Sequence, residues 1–365
     1  KADSPKQMNV VVVLMESVNI ERMDSGLMPQ LQEIAAKGAL WTSFYSSGVH
    51  TYAGIYSTLC GFPVQLRRHA LKGQSPQFYN GLGTILKANG YTTHFYTTHD
   101  DRFDHMGGFL NNNGFSNIVS LKQYGRSNSL STFGVPDHIM FDRALNDLDD
   151  DDGQRPFLAF LLTSSNHAPF RFPDGIPFVP KSHSLPQQMI EYSDWALGRF
   201  AAGAAAKAWG QRTLFVFLGD HGASGDYRFP LSYSMVHIPM VMVGPGIPKG
   251  EKWNKLGSQL DALPTIMGRL GILYRNLSFG VDLFHSERTL TVFCSDEYLG
   301  CTDGDYFLSF NFDSHGVLSR IKRSMDNGFT DSRLKLETMK RNALSFWRMA
   351  DWLLKNKRHN QPAAQ

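Results

Sequence analysis

Asn9-Val10-Val11-Val12-Val13-Leu14-Met15-Glu16-Ser17 is a run of apolar, mostly β-branched residues that ends abruptly on two polar ones. The apolar part, Val10 to Met15, is strand-sized and far short of the ~20 residues that span a bilayer. Four more short β-rich runs, at 91–97, 156–163, 212–218 and 237–243, read the same way, as strands buried on both faces. Between them, residues 29–37, 82–89, 136–148, 186–208 and 258–270 carry helical spacing. Strand and helix in alternation predict an α/β fold with a mainly parallel central sheet flanked by helices.

After about residue 288 the pattern changes to two consecutive strand-like runs, 289–294 and 306–312, and a charged helix from about 332 to 355. The expected organisation is a catalytic domain over 1–288, a small C-terminal α+β subdomain over 289–357 and a disordered tail over 358–365. Residues 149–153 read as an acidic turn. With 19% charged residues and a formal charge of +3, the chain has no basic stripe of the kind nucleic acid requires. It begins Lys1-Ala2-Asp3-Ser4-Pro5, without an initiator Met or an apolar leader, which sets the expectation that a membrane or signal segment precedes it. The three cysteines, Cys60, Cys294 and Cys301, have no zinc-ligand spacing. Cys294 and Cys301 flank a short loop and suit either a cross-hairpin disulfide or two free thiols.

Ligands of open α/β sheets bind beyond the carboxyl ends of the strands, so polar residues directly after the strand-like runs are the first candidates. These are Glu16, then Thr98-His99-Asp100-Asp101, Ser164-Ser165-Asn166-His167 and Gly219-Asp220-His221-Gly222. Glu16, Asp220 and His221 offer two carboxylates and an imidazole, a set that suits a divalent cation. Taken singly, a carboxylate after a strand is more often a cap or turn residue. His167 suits contact with a phosphate oxygen or protonation of a leaving alkoxide.

Thr51, in Gly48-Val49-His50-Thr51-Tyr52-Ala53-Gly54, stands at the start of a helix expected to run to Cys60. It reads as an N-cap or as a nucleophile, and the two are compatible: backbone N–H groups that welcome a cap also bind phosphate oxygens. A threonine hydroxyl is inert at neutral pH without activation, and a bound metal ion supplies it.

In this order the motifs resemble the lipoteichoic acid synthase and phosphoglycerol transferase branch of the alkaline phosphatase/sulfatase superfamily. The resemblance covers most of the first ~285 residues and rests on Asn9 to Ser17, the Thr51 segment, Asn166-His167-Ala168-Pro169-Phe170, Gly219-Asp220-His221-Gly222, Ile238-Pro239, Gln259-Leu260-Asp261-Ala262-Leu263-Pro264-Thr265 and Gly280-Val281-Asp282-Leu283-Phe284. It implies that Glu16, Thr51, Asp220 and His221 hold one Mn²⁺ or Mg²⁺ and that Thr51 forms a covalent phospho-intermediate. It also implies that His167 contacts substrate, that a phospholipid such as phosphatidylglycerol is the donor and that a glycan or lipid is the acceptor. Such domains are anchored at the extracytoplasmic face of the bacterial inner membrane, in the periplasm. The Trp-x-Arg motif of Gram-positive lipoteichoic acid synthases is missing: the matching stretch reads Asp100-Asp101-Arg102-Phe103-Asp104-His105-Met106. That form resembles Gram-negative relatives and makes Asp100, Asp104 and His105 candidates for the acceptor or headgroup pocket.

Four other readings compete. A second metal would need further ligands, for which Asp194 and His237 are the candidates, and Ser164-Ser165-Asn166 offers no carboxylate, so one ion is expected. A sulfatase needs formylglycine within Cys/Ser-x-Pro-x-Arg, whereas Cys60-Gly61-Phe62-Pro63-Val64 has the wrong spacing. A phosphodiesterase or phosphatase would use the same Thr51 intermediate and resolve it with water. A purely binding module has no need of a nucleophile and ligands at successive strand ends.

Overall fold

The computed structural model describes residues 8–72, 77–149, 155–223, 231–312, 316–321 and 332–360. Its larger sheet contains, in chain order, β1 (Asn9–Met15), β2 (Ala39–Tyr45), β3 (Thr92–Thr97), β4 (Asn117–Val119), β5 (Phe157–Leu162), β6 (Thr213–Gly219), β7 (His237–Val243), β8 (Glu251–Trp253) and β9 (Gly257–Ser258). The strands lie in the order β4-β3-β5-β1-β6-β7-β2-β8, with β9 also pairing β2. β1 runs parallel to both β5 and β6, while β7 runs antiparallel to β6. The sheet is thus mainly parallel, and the five apolar runs of the sequence are β1, β3, β5, β6 and β7.

Every residue of β1, β5 and β6 is buried, as strands covered on both faces require. The period of two sorts their side chains: Val11, Val13 and Met15 join one core with Leu31 and Ile34 of the helix Pro29–Ala36, Phe141 and Ala144 of Asp137–Asp149, and Leu197 and Phe200 of Leu185–Ala206. β2, unexpected from sequence, follows that first helix after only a few residues. Gly38 makes the turn possible, because a Cβ there would lie 2.0 Å from the Met242 carbonyl oxygen.

The second sheet has four antiparallel strands, β10 (Thr291–Cys294), β11 (Leu299–Thr302), β12 (Tyr306–Phe310) and β13 (Val317–Arg320), where two runs were expected. β11 and β13 are four residues each, too short for alternation to register. The helix Ser332–Lys355 packs on β10, β11 and β12. His359, expected to begin a disordered tail, is buried, with its ring 4.7 Å from Tyr79 and 6.2 Å from Phe62. The aromatic pocket accounts for that burial. Residues 361–365, like most of the expected acidic turn, lie outside the described residues. All three cysteines are buried free thiols. Strand register pairs Cys294 with Leu299 and Cys301 with Val292 rather than with each other.

The chain forms two compact units that interleave in sequence: Lys1–Thr42, Gly83–Gly219 and Pro239–Trp253 in one, Ser43–Leu82, Asp220–Ile238 and Asn254–Gln365 in the other. The first holds most of the larger sheet. The second holds the smaller sheet, with a core of Tyr45, Leu231, Val236, Leu256, Phe293 and Phe307. Among the described residues no helix is long and apolar enough to cross a membrane.

Candidate active site

Glu16 and Asp220 are the residues that follow β1 and β6, and they leave the sheet at its carboxyl end, where open α/β sheets place ligands. Both are buried, 2% and 0% exposed. With His221 they form a group whose ligand atoms, one carboxylate oxygen from each acid and a ring nitrogen, all lie within 4.8 Å of one another. Buried carboxylates so close together repel unless a cation joins them.

Neighbouring groups orient each ligand. Ser17 Oγ donates to Glu16 Oε1 at 2.7 Å, Asn166 Nδ2 donates to the Glu16 carbonyl at 3.1 Å, and the Glu16 N–H donates to Thr163 Oγ1 at 2.9 Å. The His221 N–H donates to Asp220 Oδ1 at 2.6 Å. His221 Nδ1 lies 2.8 Å from the Gly222 carbonyl, which can only accept, so Nδ1 carries the proton and Nε2 keeps its lone pair. That Nε2 is 3.5 Å from Asp220 Oδ2. Two carboxylates and a basic imidazole nitrogen fit a divalent cation of the Mg²⁺ or Mn²⁺ type.

Thr51 is the first residue of the helix Thr51–Cys60, and His50, in extended conformation, occupies the cap position instead. One turn on, Gly54 touches Asp220: a Cβ on Gly54 would stand 2.9 Å from Asp220 Cα and from its carbonyl oxygen. The first turn of the Thr51 helix is therefore seated on the Asp220 backbone. Buried Gln259 ties the same parts together, accepting from the Ser47 N–H at 3.0 Å and donating through Nε2 to the Asp220 carbonyl at 2.7 Å.

The loop after β3 brings in further candidates. His99 is buried beneath it with its Nδ1 2.5 Å from Thr97 Oγ1. Burial pushes the His99 pKa down to about 4, against the pull of Glu16, Asp104 and Asp100, so the ring is neutral at pH 7. Asp104 and His105 both adopt left-handed backbone, φ 55° and 59°, a strain that persists where surrounding structure imposes it. Asp104 is half-buried and His105 exposed. Asp100 is clasped by Arg102, whose Nε and Nη2 donate to the two carboxylate oxygens at 3.0 and 2.5 Å. His167 is exposed, its ring 4.0 Å from Phe133 and its Nδ1 2.5 Å from the Ala168 carbonyl, which leaves Nε2 as the basic nitrogen.

The sequence profile of the sulfatase family matches residues 8–272. The chain belongs to the sulfatase family. Phosphoglycerol transferase I of Xanthomonas campestris pv. campestris is 26% identical over 308 residues, 77% of this chain and 43% of the relative. The chain thus spans less than half the length of that curated relative. Among solved structures, a protein in the alkaline phosphatase superfamily from Vibrio parahaemolyticus superposes with a TM-score of 0.84 at 24% identity, over 98% of this chain and 90% of the other. The lipoteichoic acid synthase LtaP from Listeria monocytogenes gives 0.76 at 18% identity, over 98% and 95%.

Asp194, His237 and Cys60, which the second-metal and formylglycine readings would use, have the following surroundings. Asp194 accepts from the Gln30 and Leu31 N–H groups at 2.8 and 2.9 Å and so caps the Pro29–Ala36 helix. His237 stacks on Tyr45 at 5.2 Å. Neither belongs to the three-residue group. Cys60 is at the far end of the Thr51 helix, about 14 Å along it at ~1.5 Å per residue. Its thiol is buried, and burial pushes its pKa well up.

Asp137 is not evident from sequence alone, and the sequence marks His99 and Gln259 only as members of a strand-end run and of a motif, without a role. His99 does follow a strand, the same signal that marks Glu16. Asp137 starts a helix and accepts the Ser164 and Ser165 N–H groups at 2.9 and 3.1 Å, bracing the loop that carries His167. In sequence it is indistinguishable from any first-turn acid.

Proposed function

We propose that this sulfatase-family domain is a metal-dependent phosphotransferase that moves phosphoglycerol, or a similar phospho-headgroup, from a phospholipid donor such as phosphatidylglycerol to a hydroxyl of a glycan or lipid acceptor. The observation that carries this reading is the seating of the Thr51 helix on Asp220, itself grouped with Glu16 and His221. The similarity to phosphoglycerol transferase I supports the choice of headgroup. We further propose that the domain works at the extracytoplasmic face of the bacterial inner membrane, as part of a membrane-anchored protein.

In this mechanism Glu16, Asp220, His221 and Thr51 would hold one Mn²⁺ or Mg²⁺. When bound, that ion supplies positive charge that favours the Thr51 alkoxide and polarises the phosphoryl oxygens. Thr51 gives its hydroxyl proton to solvent water, its oxygen bonds to phosphorus, and the phosphorus–oxygen bond to diacylglycerol breaks. His167 gives the departing oxygen a proton. An acceptor hydroxyl then attacks the phospho-Thr51, passes its proton to His167, and frees the Thr51 oxygen. Backbone N–H groups of the helix's first turn stabilise the phosphoryl oxygens. Asp100, Asp104 and His105 contribute to the pocket for the headgroup or acceptor.

The test is to incubate the protein with phosphatidylglycerol labelled in its headgroup and search for a phosphoglycerol adduct by mass spectrometry. The adduct is expected on Thr51, and label should pass to an added acceptor. A Thr51→Ala protein that still consumes donor at the wild-type rate would overturn the nucleophile. Release of free glycerol phosphate, with no acceptor ever labelled, would identify a hydrolase instead.

A further inference from the structure

The helix Ser332–Lys355 has two unlike faces, and the outer one is not the plainly polar surface that a helix packed on a sheet turns to water. Met339, Ala343, Ala350 and Leu354 recur at helical spacing and are all buried, which sets the inner face against β10, β11 and β12. The opposite stripe runs Arg341, Ser345, Arg348, Met349, Trp352, Lys355, and all six are exposed. Met349 is 54% exposed and Trp352 50%. Three residues apart, the two are neighbours on the helix surface, and Arg348 and Lys355 occupy the turns on either side of Trp352. Phe78 adds another exposed aromatic residue near the helix end, where Asn360 Nδ2 donates to the Phe78 carbonyl at 3.2 Å and the His359 ring packs on Tyr79.

Positive charge gathers on the same element. Residues 332–358 hold eight Lys or Arg against two acids, so this stretch carries +6 while the whole chain carries +3. The acids are Glu337, one turn before Arg341, and Asp351, whose carboxylate accepts from Lys355 Nζ at 2.7 Å. Arg341, Arg348 and Lys357 meet no carboxylate within ion-pair distance among the described residues. Arg358 lies over the Trp352 ring, 5.9 Å from its centroid. Trp and Met set among long cationic side chains match a lipid interface, where indole rests at headgroup depth, the thioether enters the acyl boundary, and the cations reach back to phosphates. A nucleic acid would engage the cations but leave Met349 in water. A second copy docked on this face through a two-fold axis would set +6 against +6.

We propose that this face docks the domain on a bilayer surface that contains anionic phospholipid, with Trp352 and Met349 in the interface and Arg341, Arg348, Lys357 and Arg358 meeting the headgroups. The contact is peripheral, since the helix is not apolar enough to cross a membrane. The proposal goes beyond the transfer reaction and does not need it, because what is bound is a lipid surface and not a donor molecule held at Thr51.

The test is sedimentation of the whole chain with vesicles of phosphatidylcholine, with and without phosphatidylserine, in about 0.1 M salt and again in about 1 M salt. Binding is expected to be at least tenfold tighter to the anionic vesicles in low salt and to fall in high salt. Arg348→Glu and Trp352→Ala should each weaken it about fivefold or more, and Lys357→Glu serves if a melting curve shows that either is misfolded. Equal binding to neutral vesicles, binding to neither, or binding that these substitutions leave intact would overturn the surface. So would tighter binding of single-stranded DNA than of vesicles, or a dimer in analytical ultracentrifugation that Trp352→Ala dissolves. Thr51→Ala should bind vesicles as the wild type does. Vesicle binding by a protein without transferase activity keeps the surface and sinks the Thr51 reading, whereas a phosphoglycerol adduct on Thr51 in a protein that ignores vesicles does the reverse.

Discussion

Met15 and Gly219 face each other across β1 and β6, and that single pairing sets Glu16 beside Asp220. Adjacent strands stand about 4.8 Å apart, so two carboxylates that continue from paired residues can share a cation without any contribution from a flexible loop. Both strands are wholly buried and joined in register along their length, so the spacing is as stiff as the sheet itself.

Metal dependence should therefore appear as stability. Wild-type protein in Mn²⁺ at a hundredfold excess over Kd should gain about 2.7 kcal/mol over the EDTA-treated form, read as a higher Tm. Glu16→Gln and Asp220→Asn remove a charge each while keeping shape, and both should lose most of that gain. A Tm that responds to Mn²⁺ equally in all three proteins would refute the assigned ligands.

Gly54 is the contact through which the Thr51 helix rests on Asp220. Gly54→Ala ought to help a helix by intrinsic propensity, by about 1 kcal/mol. Here the new methyl would meet backbone at 2.9 Å, which cannot swing aside. The variant is expected to be less stable than wild type by about 1–3 kcal/mol and to lose tenfold or more in transfer rate, since a small misplacement of a nucleophile is expensive. A variant stabilised and fully active would show that the contact is loose.

Gln259 bridges the Ser47 N–H and the Asp220 carbonyl within the buried interior. Gln259→Leu preserves bulk but leaves both backbone groups unmatched, at a cost of about 2–4 kcal/mol by chemical denaturation. Transfer should fall further than stability alone accounts for, because the bridge holds both Asp220 and the segment leading to Thr51. Unchanged activity in the folded fraction would confine Gln259 to a structural role.

What the sequence reveals here follows burial. β1, β3, β5, β6 and β7 are apolar runs because helices cover both sides of them, and such runs are readable without a structure. β2 carries half-buried Thr42 and Ser43 among its aromatic residues, and β4, β8 and β9 are three residues or fewer, below the length at which any period can be heard. The same division holds at the site. Glu16, Asp220 and His221 are legible because each directly follows a strand. His99 also follows one, yet its burial comes partly from Phe103 and Phe133, and Phe133 lies far along the chain with nothing in the sequence to join it to β3. Asp137 and Gln259 act by hydrogen bonds to remote backbone, and although Gln259 opens a recognisable motif, local sequence does not show which backbone either one meets.

The neutral, buried His99 predicts a loss of stability in acid with a defined window. Its folded pKa is about 4, below the value near 6.5 of an unfolded histidine. As pH falls through 6.5 the unfolded chain takes the proton first, so the stability that His99 contributes at pH 7 drains away between about 6.5 and 4, by at most about 3 kcal/mol. Asp137 and Asp194 pull the other way: burial raises both to about 6, so each favours the folded state most strongly at low pH and loses that contribution as pH climbs from about 4 through 6. The wild-type curve therefore mixes opposite slopes and does not isolate His99. The difference between wild type and His99→Gln, measured by urea unfolding in EDTA at intervals from pH 4.5 to 7.5, does isolate it, because both carboxylates are common to the pair. The advantage of the wild type should shrink steadily as pH falls through the window. If the difference stays flat from pH 7.5 to 4.5, His99 does not remain neutral in the folded protein.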